Sequence, residues 1–347
     1  MKYAVSANSG DEPARAAALT GRSRAGKRLA LFLGLLIAIA LGAAAIGLFF
    51  GSVTLSPARV WAALTGHGDA LSNTLVLELR LPRVALAFAT GALLALAGTL
   101  MQVLLRNPLA DPYILGVSGG AAVGALITLL LGLGVLWLEG AAFAGALAST
   151  LLVFALAHGR GGWTSMRLLL TGVVVAAGWG AAIGLLLAMS DDTSLRSMLF
   201  WLMGDLSYQH GGWAPLALAG VGLAVSLPFA RHLNVLARGE MQAKALGVPV
   251  GMLTVGIYIV ASLLTAVSVT EAGAIGFVGL VIPHMLRLAG GSDHRLILPG
   301  SALAGGALLV LADTLARTVL APRQLPVGVV TAAIGVPLFL YLLNRSR

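Results

Sequence analysis

Cysteine is absent from this chain of 347 residues, so neither a disulfide framework nor a thiolate metal site can form. Charge is scarce too. Only 10% of residues are charged and 59% are hydrophobic, against about 25% charged in a typical soluble domain. Most of the chain is therefore read as lying in lipid. The six histidines are His67, His158, His210, His232, His284 and His294, and no two share the i, i+4 spacing of a helical metal site. Neither a metal nor a cofactor is expected on this chain. A convergent set of polar groups for hydrolytic or redox catalysis is also missing.

A net charge of +9 ordinarily raises the question of nucleic acid. Here the basic residues flank apolar runs, as they do at cytoplasmic helix ends of membrane proteins, so no nucleic-acid partner is expected. Residues 1–28 are polar and basic and read as a disordered cytoplasmic tail. Within it, Gly21 to Arg28 nearly spells a phosphate-binding loop. Arg28 stands where Ser or Thr must bind magnesium, and no strand precedes it. Any ATP hydrolysis must therefore come from another subunit.

Apolar runs of about 20 residues can cross the hydrocarbon core as helices. The candidates are 29–50, 81–105, 114–133, 136–157, 167–189, 212–230, 251–270, 274–290, 297–319 and 327–343. The first is too long for a signal peptide's apolar region, and no clear cleavage site ends it. The reading is an all-α integral membrane protein with ten spans, in which 29–347 form a single domain. With the N-terminus inside, the inner segments hold the basic tail, Arg106, Arg160, Arg167, Arg231, Arg238, Lys244, Arg287, Arg295, Arg345 and Arg347. The outer segments hold Arg59, Arg80, Arg83, Arg196, Arg317 and Arg323. This bias places both termini in the cytoplasm.

Two connecting segments have helical character. Outside, 190–210 places acidic caps before an apolar stretch too short to cross, which predicts an interfacial helix. Inside, 234–249 predicts one amphipathic helix. Asn234 would cap it, Leu236, Met241, Ala245 and Leu246 would group on one side, and Gly247 and Pro249 would end it. Such a helix is either a docking element or a plain connector. Glu271 and Asp313 are the notable acids of the spans. Asp313 either carries protons or pairs with a neighbour such as Arg317, four residues on. Gly116, Gly120 and Gly124 form one small-residue stripe, which either packs helices closely or lines a wide passage. Arg80-Leu81-Pro82-Arg83 opens the second span with charges suited to lipid headgroups or to an acidic partner.

Motifs along the chain resemble a known family: Arg80-Leu81-Pro82-Arg83, Gly98-Thr99-Leu100-Met101-Gln102, Arg106-Asn107-Pro108-Leu109-Ala110-Asp111-Pro112 and Leu115-Gly116-Val117-Ser118-Gly119-Gly120. Arg167 to Gly172, Leu246-Gly247-Val248, Gly273 to His284 and Leu325 to Thr331 continue the pattern. Together they resemble the permease subunits of ATP-driven importers for ferric siderophores, haem and cobalamin. The resemblance implies a homodimer in the bacterial inner membrane with a central translocation path. It also implies two cytoplasmic ATPase subunits that carry ATP and Mg, and a periplasmic substrate-binding protein. Residue by residue, it implies a gate at Asn107 and Leu109 and a second at Ser165 and Met166. Arg80, Arg83 and Arg317 would dock the binding protein. Residues 235–247, with Leu236, Gly239, Glu240, Ala245, Leu246 and Gly247, would couple to the ATPase. An iron complex is the expected cargo and cobalamin the alternative. An ion-driven transporter would want embedded acids that this chain largely lacks.

Overall fold

A computed structural model describes residues 11–158, 164–207 and 212–345, apart from the side chains of 11–28, 343 and 345. Among the described residues every regular element is helical. The chain begins with α1 (Asp11–Phe49), α2 (Pro57–Leu64) and α3 (Ala70–Asn73). A π-helical stretch, Thr74–Arg80, then leads into α4 (Leu81–Leu104). After a short 3₁₀ turn at Pro112–Leu115 come α5 (Val117–Leu130), α6 (Val135–Ala157), α7 (Ser165–Met189) and α8 (Asp192–Leu202). Next are α9 (Trp213–Ser226), α10 (Ala230–Leu236), α11 (Glu240–Ala245) and α12 (Val250–Ala272). The last three are α13 (Val278–Gly290), α14 (His294–Thr318) and α15 (Val327–Arg345).

Seven helical stretches are long and apolar enough to cross a membrane: Leu29–Phe49, Ala70–Leu104, Val135–Ala157, Ser165–Met189, Trp213–Leu236, Val250–Ala272 and His294–Thr318. Shorter apolar helices, Val117–Leu130, Val278–Gly290 and Val327–Leu342, stand where the sequence places the third, eighth and tenth spans. At about 1.5 Å per residue, α5 alone covers roughly 21 Å of a ~30 Å hydrocarbon core.

The bundle is organised around α4. Its sequence is apolar on every face, which is the signature of a helix buried all round. In its span, 94% of the most apolar window is buried, against 6% for α7. Helices α14, α12, α9 and α13 pack around it. Glycine permits the closest approaches. A Cβ at Gly98 would run into the Gly279 carbonyl, and one at Gly91 into the Gly305 carbonyl. Thr99 Oγ1 donates to the Ala95 carbonyl and lies 2.9 Å from Ser301 Oγ, which ties α4 to α14 by a buried polar contact.

Two expectations change. The backbone is already helical from Asp11, ahead of the apolar run, where the sequence reading places a disordered tail. The alanines of this stretch are strong helix formers that let the span extend backwards. Residues 1–10 lie outside the described residues, as do 208–210 of the interfacial segment, whose helix α8 covers Asp192–Leu202. The segment 234–249 is not one helix. Asn234 belongs to α10, the chain breaks at Gly239 with φ 132, and α11 is only six residues long.

Replacing Gly98 with Val should destabilise the purified protein by about 1–3 kcal/mol or abolish folding, because the added methyls meet backbone and not a movable side chain. Gly42→Ala, where nothing lies within 4 Å, should leave the melting temperature in detergent unchanged or raised. Equal behaviour of the two variants would refute the close-packed axis.

Candidate functional site

At the N-terminal end of α4 two of the three arginines expected to dock a partner, Arg83 and Arg317, hold one carboxylate. Asp313 has 1% of its side chain exposed. Arg83 Nη2 stands 2.8 Å from its Oδ1, and Arg317 Nε stands 2.9 Å from its Oδ2. The i, i+4 pairing with Arg317 is thus present, with a second arginine added from α4. Arg80 is turned the other way. Its Nη1 donates to the Leu48 and Phe49 carbonyls at 2.8 and 3.1 Å, and its Nη2 donates to the Val53 carbonyl. It therefore caps the free carbonyls at the end of α1. Arg80 and Arg317 are each 5% exposed. Only Arg83 reaches the rim, through a 3.3 Å hydrogen bond to Gln324 Oε1. Two of the three expected docking arginines are therefore internal braces.

The opposite end of α4 carries the segment expected to form a gate. The helix stops in a Schellman pattern, with Arg106 N bonded to the Val103 carbonyl and Asn107 N to the Gln102 carbonyl. Arg106 occupies the left-handed position, φ 49, that glycine usually fills. Asn107 Oδ1 then accepts from the Leu109 amide at 2.9 Å, which fixes the turn. Leu109 is left 41% exposed and Met166 64% exposed. Ser165 donates its hydroxyl to the Leu104 carbonyl at 2.8 Å. Both proposed gate segments thus meet at one helix end.

Gln102 was not singled out by the sequence reading, yet it holds this corner together. Its Nε2 donates to the Ala110, Gly279 and Leu280 carbonyls, and its Oε1 accepts from Arg287. Tyr113 acts similarly: its hydroxyl donates to the Ile275 carbonyl and accepts from the Ile275 amide, at 3.1 and 3.0 Å. A lone amide in an apolar run and a tyrosine just after the loop were the available signals. Asp111 caps the 3₁₀ turn by accepting from the Tyr113 amide at 2.8 Å. Burial pushes its carboxyl up to about 6, only partly offset by that hydrogen bond.

The glycine stripe lies elsewhere. A Cβ at Gly120 would strike the Gly145 carbonyl, and one at Gly124 the Ala141 carbonyl. Both glycines serve a tight α5–α6 contact, the packing use of the stripe. Gly116, at φ 74, makes the left-handed turn between the 3₁₀ segment and α5.

The coupling segment is a short exposed projection. Gly239 and Gly247, at φ 132 and 76, bracket α11, and nothing lies within 4 Å of either. Lys244 pairs with Glu240 at 2.9 Å along the helix. Met241 is 85% exposed and Leu246 71% exposed, while Leu236 is buried in α10. The expected single apolar side therefore divides into an inward and an outward part. Ala245 and Gly247 lie on the outward part. Asn234 does not cap α11; its Nδ2 donates to Asp293 and its Oδ1 accepts from the His294 amide, both at 2.8 Å. A recess of about 690 Å³ separates the gate loop, at Arg106 and Pro108, from the turn at Ala237 and Arg238.

A bundle of apolar helices with a gate-like loop and an exposed projection at the same end defines a membrane permease. Its relatives make the family plain. The chain belongs to the FecCD transport family, whose model matches residues 35–345. It is 41% identical over 341 residues to the hemin transport system permease protein HmuU of Yersinia pestis, covering 95% of this chain and 98% of that one. It is 46% identical over 276 residues to the cobalamin import system permease protein BtuC of Halobacterium salinarum, covering 79% and 74%. A solved inward-facing metal-chelate type ABC transporter aligns with TM-score 0.81 at 30% identity, over 90% of this chain and 98% of the other. The chain is accordingly an ABC-importer permease, with nucleotide hydrolysis on a separate subunit.

Asp313→Asn should cost about 3–5 kcal/mol in denaturant unfolding, since it leaves two largely buried guanidinium groups without their counter-ion. Loss of the exposed Glu240–Lys244 pair should cost under about 1 kcal/mol. Asp111 titrates higher in the folded protein than in the unfolded chain, so its contribution falls as pH rises from about 4 to about 6. Asp111→Asn, which keeps the turn acceptor, should flatten stability across that window; an unchanged pH profile would refute the assignment.

Proposed function

We propose that this permease imports a bulky iron complex, haem foremost, into the cytoplasm by alternating access. In this reading ten helices cross the inner membrane, both termini are cytoplasmic, and Asn107, Leu109, Ser165 and Met166 narrow the inner mouth. The observation that supports it is that the proposed gate loop and the turn leading into α11 line one recess at the same end of the bundle, Arg106 and Pro108 on one side and Ala237 and Arg238 on the other. Movement of α11 by an ATPase is thereby delivered next to the gate. Met241 and Leu246 offer an apolar knob for a cleft on that partner, and the two flanking glycines let it tilt.

Helix α7 is the least buried of the long spans, with Leu170, Val173 and Val174 exposed. A second copy of the chain would cover this face, with the path between the protomers. At the outer end, the soluble binding protein would meet Arg83 at the rim, while Arg80 and Arg317 hold the frame beneath it. An ion-driven mechanism is disfavoured because Asp313 is already paired with two arginines.

Haem is favoured by the nearly end-to-end match to a hemin permease. Cobalamin is the second reading, supported by the higher identity over a shorter stretch. Proteoliposomes holding the permease with its ATPase and binding protein should take up haem in an ATP-dependent manner. Uptake of cobalamin alone would replace the first reading with the second, and uptake without the ATPase would defeat both. Leu246→Glu should lower ATP-driven uptake about tenfold or more while the bundle stays folded. Because the chain has no native cysteine, Asn107→Cys can be crosslinked cleanly across the dimer. The yield should change with nucleotide, and absence of any crosslink would count against an axial gate.

A further inference from the structure

The recess between the gate loop and the α10–α11 turn has a charge pattern that the import reading does not use. Arg106, Arg238 and Arg287 all line it. They come from three parts of the chain: the end of α4, the turn before α11, and the last turn of α13. Among the described residues neither Arg106 nor Arg238 has an ion-pair partner, and Arg287 donates only to Gln102. The single carboxylate in the lining, Asp293, is already held by the Arg295 amide and Asn234 Nδ2, at 3.0 and 2.8 Å. Burial would push that carboxyl up, but these hydrogen bonds and nearby positive charge bring it below its ordinary value, so it stays ionised without pairing the arginines.

A second feature points into the same place. His294 lines the recess and is 3% exposed. Its Nδ1 lies 2.6 Å from Asn234 Oδ1, which assigns the ring proton to Nδ1. Nε2 is left as a buried acceptor without a partner. Three arginines without a carboxylate partner and a histidine with an unpartnered ring nitrogen line one recess, a set that suits a tetrahedral oxyanion carrying a hydroxyl.

We propose that this recess binds phosphate, either the headgroup of an anionic lipid such as phosphatidylglycerol or a soluble phosphate species. Guanidinium groups match phosphate oxygens two at a time, and basic pockets at helix ends are suited to anionic headgroups. A bound phosphate would bridge the proposed gate loop, the turn before α11 and α13, and would add the turn to the link that Gln102 already makes between the loop and α13.

The test uses the full-length protein in detergent. Native mass spectrometry reads retention of phosphatidylglycerol against phosphatidylcholine, and calorimetry reads inorganic phosphate. Arg106→Gln combined with Arg238→Gln should lower affinity about tenfold or more, whereas Arg231→Gln with Arg295→Gln, a basic pair lining a different recess, should not. Should the first pair misfold, the exposed Arg238→Gln alone should still weaken binding. Phosphatidylglycerol retention without phosphate binding assigns the site to lipid, and phosphate binding that displaces the lipid assigns it to a soluble species. Binding of neither ligand overturns the proposal. So does equal loss in both double variants, and so does loss of ATPase capture by the first pair without any phosphate or lipid binding.

Discussion

Asp313 is a carboxylate with 1% of its side chain in contact with solvent, on a helix packed along the most buried helix of the bundle. An ion in that position carries a desolvation penalty of several kcal/mol unless its partners are close and well oriented. Arg83 and Arg317 meet that condition from two different helices. The pairing therefore sets the axial register of α4 against α14. A slide of one helical turn would strand a charge in lipid or protein. Arg80, one turn earlier, fastens α1 to the same corner through that helix's terminal carbonyls. The outer end of α1, α4 and α14 is thus one block.

The other end of α4 is fastened by hydrogen bonds in place of an ion pair. Gln102 bridges to the start of α13 and to the gate loop, and Ser165 brings α7 onto the last turn of α4. Hydrogen bonds of this kind contribute about 1 kcal/mol each, much less than breaking a buried charge pair costs. A rigid outer block and a more weakly held inner end form an asymmetric lever. On the function proposed above, motion delivered at α11 would meet this more weakly held end, next to Asn107 and Leu109. The bound phosphate proposed for the neighbouring recess would stiffen that same end.

Much of this was legible in the residues. The uniform apolarity of 81–105 announced a helix surrounded on all sides, and the i, i+4 spacing of Asp313 and Arg317 announced their pairing. The loop from Arg106 to Pro112 carried its own turn chemistry in Asn107, Pro108 and Pro112. Other features could not be read. The spacing of Gly116, Gly120 and Gly124 suits a close helix contact without saying which helix is the partner, and only the fold shows that Gly120 and Gly124 meet α6. The division of 234–249 into α10 and α11 was hidden because Asn234 is as good a cap as it is a side-chain partner for Asp293 and the His294 amide, 59 and 60 residues away.

By itself the sequence determined that the chain lies in lipid, where its apolar runs lie, and which permease family it joins, because these follow from local apolarity and contiguous motifs. Only the tertiary structure decided which arginines are braces and which reach the rim. It alone showed that the gate loop faces the coupling turn, and that three arginines distant in the chain converge on one recess. Those outcomes depend on distances between residues far apart in the chain, set by how the helices pack around α4, and no local pattern encodes such a distance.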